Sequence, residues 1–203
     1  MKLYFTPGTC ALACHIALYE TGAPFSAERV DLRTKTTADG ADYRKINPKG
    51  SVPALEISPG VVLTEGVAIM QYAADSVGGA GIAPATGTLE RARMQEAMNF
   101  ISGELHKTGY GPLFRPGQTD EARQAQLALI DGKLGWIEGL LSDGRDYLVT
   151  SGYTLADGYL FTITGWSKGF GHDLSRYPGI VALRQRVAAR PAVQAAMRAE
   201  GML

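Results

Sequence analysis

The chain has 203 residues, with 20 basic and 20 acidic side chains that cancel at neutral pH. That balance offers no long-range pull toward nucleic acid or an anionic membrane surface. There is no run of 18 apolar residues to span a bilayer, and two cysteines are too few for a disulfide scaffold. The opening MKLYFTP lacks the charged-then-apolar pattern of a cleaved leader, so the expectation is a cytoplasmic protein without membrane or nucleic-acid partners.

KLYF (2–5) reads as a strand, CALACHIALYE (10–20) as a helix and APFSAERVDL (23–32) as a second strand. A short helix is expected near Asp42 to Lys45. PALEI (53–57) and VVLT (61–64) read as a hairpin about Ser58-Pro59-Gly60, and EGVAIMQYAADS (65–76) as a helix. SVGGAGIAPATGT (76–88) holds no charge and is dense in Gly, Ala and Pro, which marks a connection.

Beyond it the period is helical. Met94, Met98, Ile101 and Leu105 step by 3 and 4, as do Leu127, Ile130, Leu134, Ile137 and Leu141. Thr154-Leu-Ala-Asp157 forms a capping box with Asp in place of the usual Glu. It opens LADGYLFTITGWSK (155–168), apolar nearly all round and so expected to be a buried central helix. Pro178 and Pro191 suit the first turns of two last helices. The expected organisation is an α/β domain over 1–81 and an all-α domain over 87–203.

The two cysteines, Cys10 and Cys14, share one helix face. Their β-carbons would lie about 5–6 Å apart, beyond the roughly 3.5–4.5 Å of a disulfide. Zinc needs four ligands and only His15 is near, so no metal is expected. Cys14, among Leu12, Ile16 and Leu18, reads as a buried apolar side chain. Cys10 follows a Pro-Gly turn at the helix start, where unpaired N–H groups favour a thiolate; by spacing alone it is a reactive thiol or an ordinary capping residue. In NPKGSVPALEI, Pro53 at a strand start is where a cis X-Pro bond would be placed, turning the Val52 backbone outward toward an extended peptide.

Cys10 after the first strand, Ser51-Val52-Pro53, Leu63-Thr64-Glu65-Gly66, the run Asn99 to Lys107 and the Thr154–Asp157 box together resemble the glutathione transferases, the bacterial beta class in particular. The resemblance covers essentially the full length. It implies a thioredoxin-like N-terminal domain, an all-α C-terminal domain, and a homodimer whose glutathione site lies beside the subunit interface. It implies that Cys10 faces the glutathione sulfur, that the Val52 backbone pairs with the cysteinyl unit, that Lys35 holds the glycyl carboxylate, and that Glu65 and Gly66 receive the γ-glutamyl end. Asn99 and Glu104 would reach into the partner's site. His106 would sit near the sulfurs, with Gly103 and Leu105 beside it, while Pro53, Thr154 and Asp157 would be structural. Position 66 departs from the family, where serine is common. A hydroxyl donor from Tyr4 or Thr9 stays open as an alternative to Cys10.

The implied co-substrate is glutathione and the implied partner a small electrophile, with Tyr110, Leu113, Phe114 and Trp166 as candidates for an apolar pocket; Trp166 reads more readily as core. Conjugation, thiol exchange through a Cys10–glutathione mixed disulfide and reductive dehalogenation remain open, as does a glutathione- or hydrophobe-binding protein with little turnover. The lack of a C-x-x-C pair argues against a dithiol oxidoreductase.

Overall fold

Strand β1 (Lys2–Phe5) occupies the middle of a five-stranded sheet in the computed structural model, which describes residues 1–149 and 152–203. The sheet order is β3-β2-β1-β4-β5, with β2 at Ser26–Asp31, β3 at Thr36–Thr37, β4 at Ala54–Ser58 and β5 at Val61–Thr64. β1 pairs parallel with β2, Leu3 opposite Ala27, and antiparallel with β4, Leu3 opposite Leu55. The crossover that a parallel pair requires is helix α1 (Ala11–Thr21), buried continuously from Ala11 to Leu18. It stops at Gly22, which takes φ +66° and returns its N–H to the Tyr19 carbonyl. β4 and β5 form the expected hairpin, Leu55 opposite Leu63, and α2 (Gly66–Asp75) closes this part with Ile69, Met70, Ala73 and Ala74 buried.

The strand expected over 23–32 is shorter, because only Ser26–Asp31 finds a partner. Strand β3 is two residues long and has no periodicity to detect in the sequence.

The chain divides into one unit of Met1–Ala83 with Arg190–Leu203 and another of Pro84–Ala189. The expected all-α domain over 87–203 placed residues 190–203 with the helices of the second unit. Helix α7 (Pro191–Ala199) packs on α1 in the first unit, with Val193 and Ala196 fully buried.

In the second unit, α3 (Leu89–Phe100) continues into a π-helix over Ile101–Tyr110 and a 3-10 turn over Gly111–Phe114. Helix α4 (Asp120–Leu141) buries Ile130, Leu134, Ile137 and Leu141. Helix α5 (Leu155–Thr164) is buried at every position, and α6 (Pro178–Ala188) packs against it. The central helix ends four residues earlier than the Lys168 expected: Gly165–Phe170 is a 3-10 segment. Thr162 and Thr164 bond back to the carbonyls of Gly158 and Leu160, and Gly165 follows, a combination that weakens further α-helix.

Candidate active site

Cys10 stands at the N-cap of α1 with its backbone already helical, φ −59° and ψ −15°. Its Sγ lies 3.7 Å from the Val52 carbonyl oxygen. The Val52–Pro53 peptide is cis, as read from the sequence. Thr9 takes over local capping: its hydroxyl donates to the Thr6 carbonyl at 2.7 Å and accepts the Ala11 N–H at 3.3 Å. Tyr4 is committed too, its hydroxyl donating to Glu56 at 3.2 Å and its pKa raised by burial. Both alternative hydroxyls are thus tied to other groups.

Cys14 is fully buried and its thiol is driven well above the usual range by burial. It donates to the Gly66 carbonyl at 3.6 Å, so it links α1 to the first residue of α2. Cys10 and Cys14 remain thiols.

Lys35 and Glu65 share an uncommon backbone, φ +60° and φ +73°. Among the described residues only three non-glycines have positive φ, and two are candidate ligands for glutathione. Such geometry costs about 1–3 kcal/mol and collects at functional sites. Lys35 reaches the Gly50 carbonyl at 2.7 Å, which uses one of the three donors of its ammonium. Glu65 is the N-cap of α2 and pairs with Lys49 at 2.6 Å, both largely exposed. The N–H groups of the first turn, Gly66, Val67 and Ala68, have no carbonyl partner within α2 and face the anion-receptive end of the helix. A Cβ at Gly66 would stand 3.6 Å from Cys14 Sγ and 3.8 Å from Pro53 Cγ, ordinary contacts that leave room for the serine common in the family.

One pair escaped sequence reasoning. Glu200 accepts the Gly8 N–H at 2.9 Å and pairs with His15 Nδ1 at 3.1 Å, both side chains buried. Gly8 lies two residues before Cys10, so the chain's last turns brace the loop that presents the thiol. Nothing in the sequence couples positions 192 residues apart.

In the second unit Asn99, Gly103 and Glu104 are exposed, and Glu104 pairs with Lys133. Leu105 is fully buried, so its side chain belongs to the core and only its backbone could meet a ligand. His106 is mostly buried and its pKa is lowered to about 4, by burial first and by the neighbouring Lys107 second. Its Nδ1 lies 3.0 Å from the Tyr159 hydroxyl. Trp166, expected in the core, is only half-buried, because the 3-10 segment turns it off α5. Its ring meets His106 edge-on at 5.1 Å and Phe114 at 5.0 Å, and Phe114 meets Phe170 at 4.9 Å. Phe114 is 58% exposed, whereas Tyr110 and Leu113 are buried beneath. The result is an aromatic surface with one neutral imidazole in it.

Thr154 donates its N–H (2.7 Å) and hydroxyl (3.0 Å) to one oxygen of Asp157, and Leu148 donates its N–H to the other at 2.8 Å. Among the described residues no three His, Cys, Asp or Glu are grouped to hold a metal, and no helix is long and apolar enough to cross a membrane.

A mixed sheet with a thiol at its first helix and a cis-proline loop beside that thiol, followed along the chain by a helical unit, defines the class: a glutathione-transferase fold. Residues 1–75 match the family model described as glutathione S-transferase, N-terminal domain, and residues 101–191 the corresponding C-terminal domain. The chain is 43% identical over 202 residues to glutathione S-transferase GstA of Escherichia coli O157:H7, covering 100% of both chains. The beta-class glutathione S-transferase of Sphingomonas chungbukensis superposes with a TM-score of 0.94 at 44% identity over 100% of each chain. A sphingomonad glutathione S-transferase solved with glutathione gives 0.94 at 42% identity, again over 100% of each. The chain belongs to the glutathione S-transferase family, in its bacterial beta class, and it is a glutathione transferase enzyme.

Proposed function

We propose that this enzyme binds glutathione through the first unit, with Cys10 facing its sulfur, and directs the thiolate at hydrophobic electrophiles. The observation that carries this is the 3.7 Å approach of Cys10 Sγ to the Val52 carbonyl, which brings the thiol to the backbone that would pair with glutathione's cysteinyl unit. Lys35 takes the glycyl carboxylate, and Glu65 with the first turn of α2 takes the γ-glutamyl end. The sphingomonad relative solved with glutathione supports that co-substrate. The aromatic rings around His106 in the second unit suit an apolar electrophile. In a homodimer, the exposed Asn99 and Glu104 complete the partner's site. The enzyme works in the cytoplasm.

Magnitudes show where the rate comes from. Lowering a thiol pKa from about 8.5 to about 6.5 raises the thiolate fraction at neutral pH roughly 25-fold. The accompanying loss of nucleophilicity returns nearly 10-fold of that, so ionisation alone gives only a few-fold. Holding sulfur and electrophile together supplies the rest.

A steady-state panel of aromatic halides, disulfides and peroxides with glutathione tests the proposal. Saturable, glutathione-dependent turnover of at least one class is expected, with disulfide exchange lost and conjugation only reduced in Cys10→Ala. Tight glutathione binding with no turnover across the panel would favour a ligand-binding protein.

A further inference from the structure

Tyr159 lies on α5, the fully buried helix, and is itself 4% exposed. The π-helix packs against α5, which brings Tyr159 Oη to 3.0 Å from His106 Nδ1 with the rings edge-on. A phenol is a good donor and a poor acceptor, because its oxygen lone pair is delocalised into the ring. The unprotonated nitrogen of a neutral imidazole is the stronger acceptor of the two. Which nitrogen of a histidine carries the proton follows from the bond the other makes. We propose that Tyr159 is a positioning residue: its hydroxyl donates to Nδ1, fixes His106 as the Nε2–H tautomer, and so makes Nε2 a donor for the sulfur or the leaving group during glutathione transfer.

This rests on the reading of His106 as a site residue. The low pKa of His106, about 4 through burial and Lys107, keeps the ring neutral at working pH, so the hydrogen bond and not a charge sets what Nε2 offers. The placement of Tyr159 is itself secured at the start of α5, where Asp157 collects three donors two residues before it.

Long-range proton–nitrogen correlation spectra of the full-length protein labelled at histidine read the tautomer directly; there are three histidines, and His106→Ala identifies the signal. The expected wild-type result at neutral pH is a protonated Nε2 and a bare Nδ1, with Tyr159→Phe shifting the ring toward a mixture. Tyr159→Phe should lower kcat about 3–10-fold, a typical hydrogen-bond contribution, and leave the glutathione KM within twofold. In a His106→Ala background the same substitution should change nothing further. A wild-type ring protonated at Nδ1, or a tautomer untouched by Tyr159→Phe, overturns the proposal even where His106→Ala impairs turnover. An unimpaired His106→Ala enzyme overturns the reading of His106 itself.

Discussion

Glu65 combines a positive-φ backbone, φ +73° and ψ +117°, that strains an L side chain with a carboxylate that solvent reaches. Strain of about 1–3 kcal/mol exceeds what exposed pairs such as Lys49–Glu65 contribute, about 0–1 kcal/mol. Glu65→Gly should therefore leave chemical-denaturation stability unchanged or raise it by about 1 kcal/mol, while raising the glutathione KM at least tenfold. A loss of stability with an unchanged KM would assign the strain to the fold instead. Next to it, Gly66→Ser adds a hydroxyl where there is room beside Cys14 and Pro53. The serine should lower the glutathione Kd about fivefold, the worth of one net hydrogen bond near 1 kcal/mol, as measured by calorimetry. No change would mean that the γ-glutamyl end is not received at position 66. At this scale the cis bond before Pro53 was legible in proline chemistry, and the turn before Cys10 marked it as a candidate. The proposed roles of Lys35 and Glu65 come through the resemblance alone, because a positive φ on a lysine or a glutamate leaves no trace in sequence.

Helices whose boundaries depend on local chemistry matched the sequence, and those shaped by packing did not. The step-of-3-and-4 pattern placed Ile130, Leu134, Ile137 and Leu141 in one buried stripe of α4. Thr154 and Asp157 announced the start of α5. Nothing announced the change to π-helix at Ile101, since the apolar steps Met98, Ile101 and Leu105 suit either winding. That change positions His106, and α5 holds Tyr159 opposite it. Asp157 is buried enough to lift its pKa to about 6, against which the Leu148 and Thr154 donors hold. Asp157→Ala removes an acceptor for three donors and strands them in the interior. A loss of about 2–4 kcal/mol is expected in urea titration, the sum of a lost cap and unsatisfied buried groups. A loss below about 0.5 kcal/mol would show that water or a rearranged loop satisfies those donors.

The whole chain has no net charge to steer it and its chemistry is confined to a few side chains. Its largest departure from the linear reading is the return of residues 190–203 to the first unit, where α7 lies on α1 and Glu200 holds both His15 and the Gly8 N–H. Position along the sequence placed that segment with the preceding helices; packing against α1 placed it elsewhere, and only contacts 185 and 192 residues apart reveal it. The effect is to fix the turn that ends at Cys10 from two sides, by Glu200 on Gly8 and by Val52 beside the thiol. The central claim is that this thiol faces the sulfur of bound glutathione. Peptide-resolved mass spectrometry after exposure to oxidised glutathione tests it most directly, because thiol attack on that disulfide leaves a mixed disulfide and releases one reduced glutathione. The expected result is a single glutathionyl group on Cys10 and none on Cys14, forming at a rate that saturates with oxidised glutathione and is blocked by S-methylglutathione. Modification of Cys14, or a Cys10 adduct whose rate neither saturates nor responds to the blocker, would contradict the account.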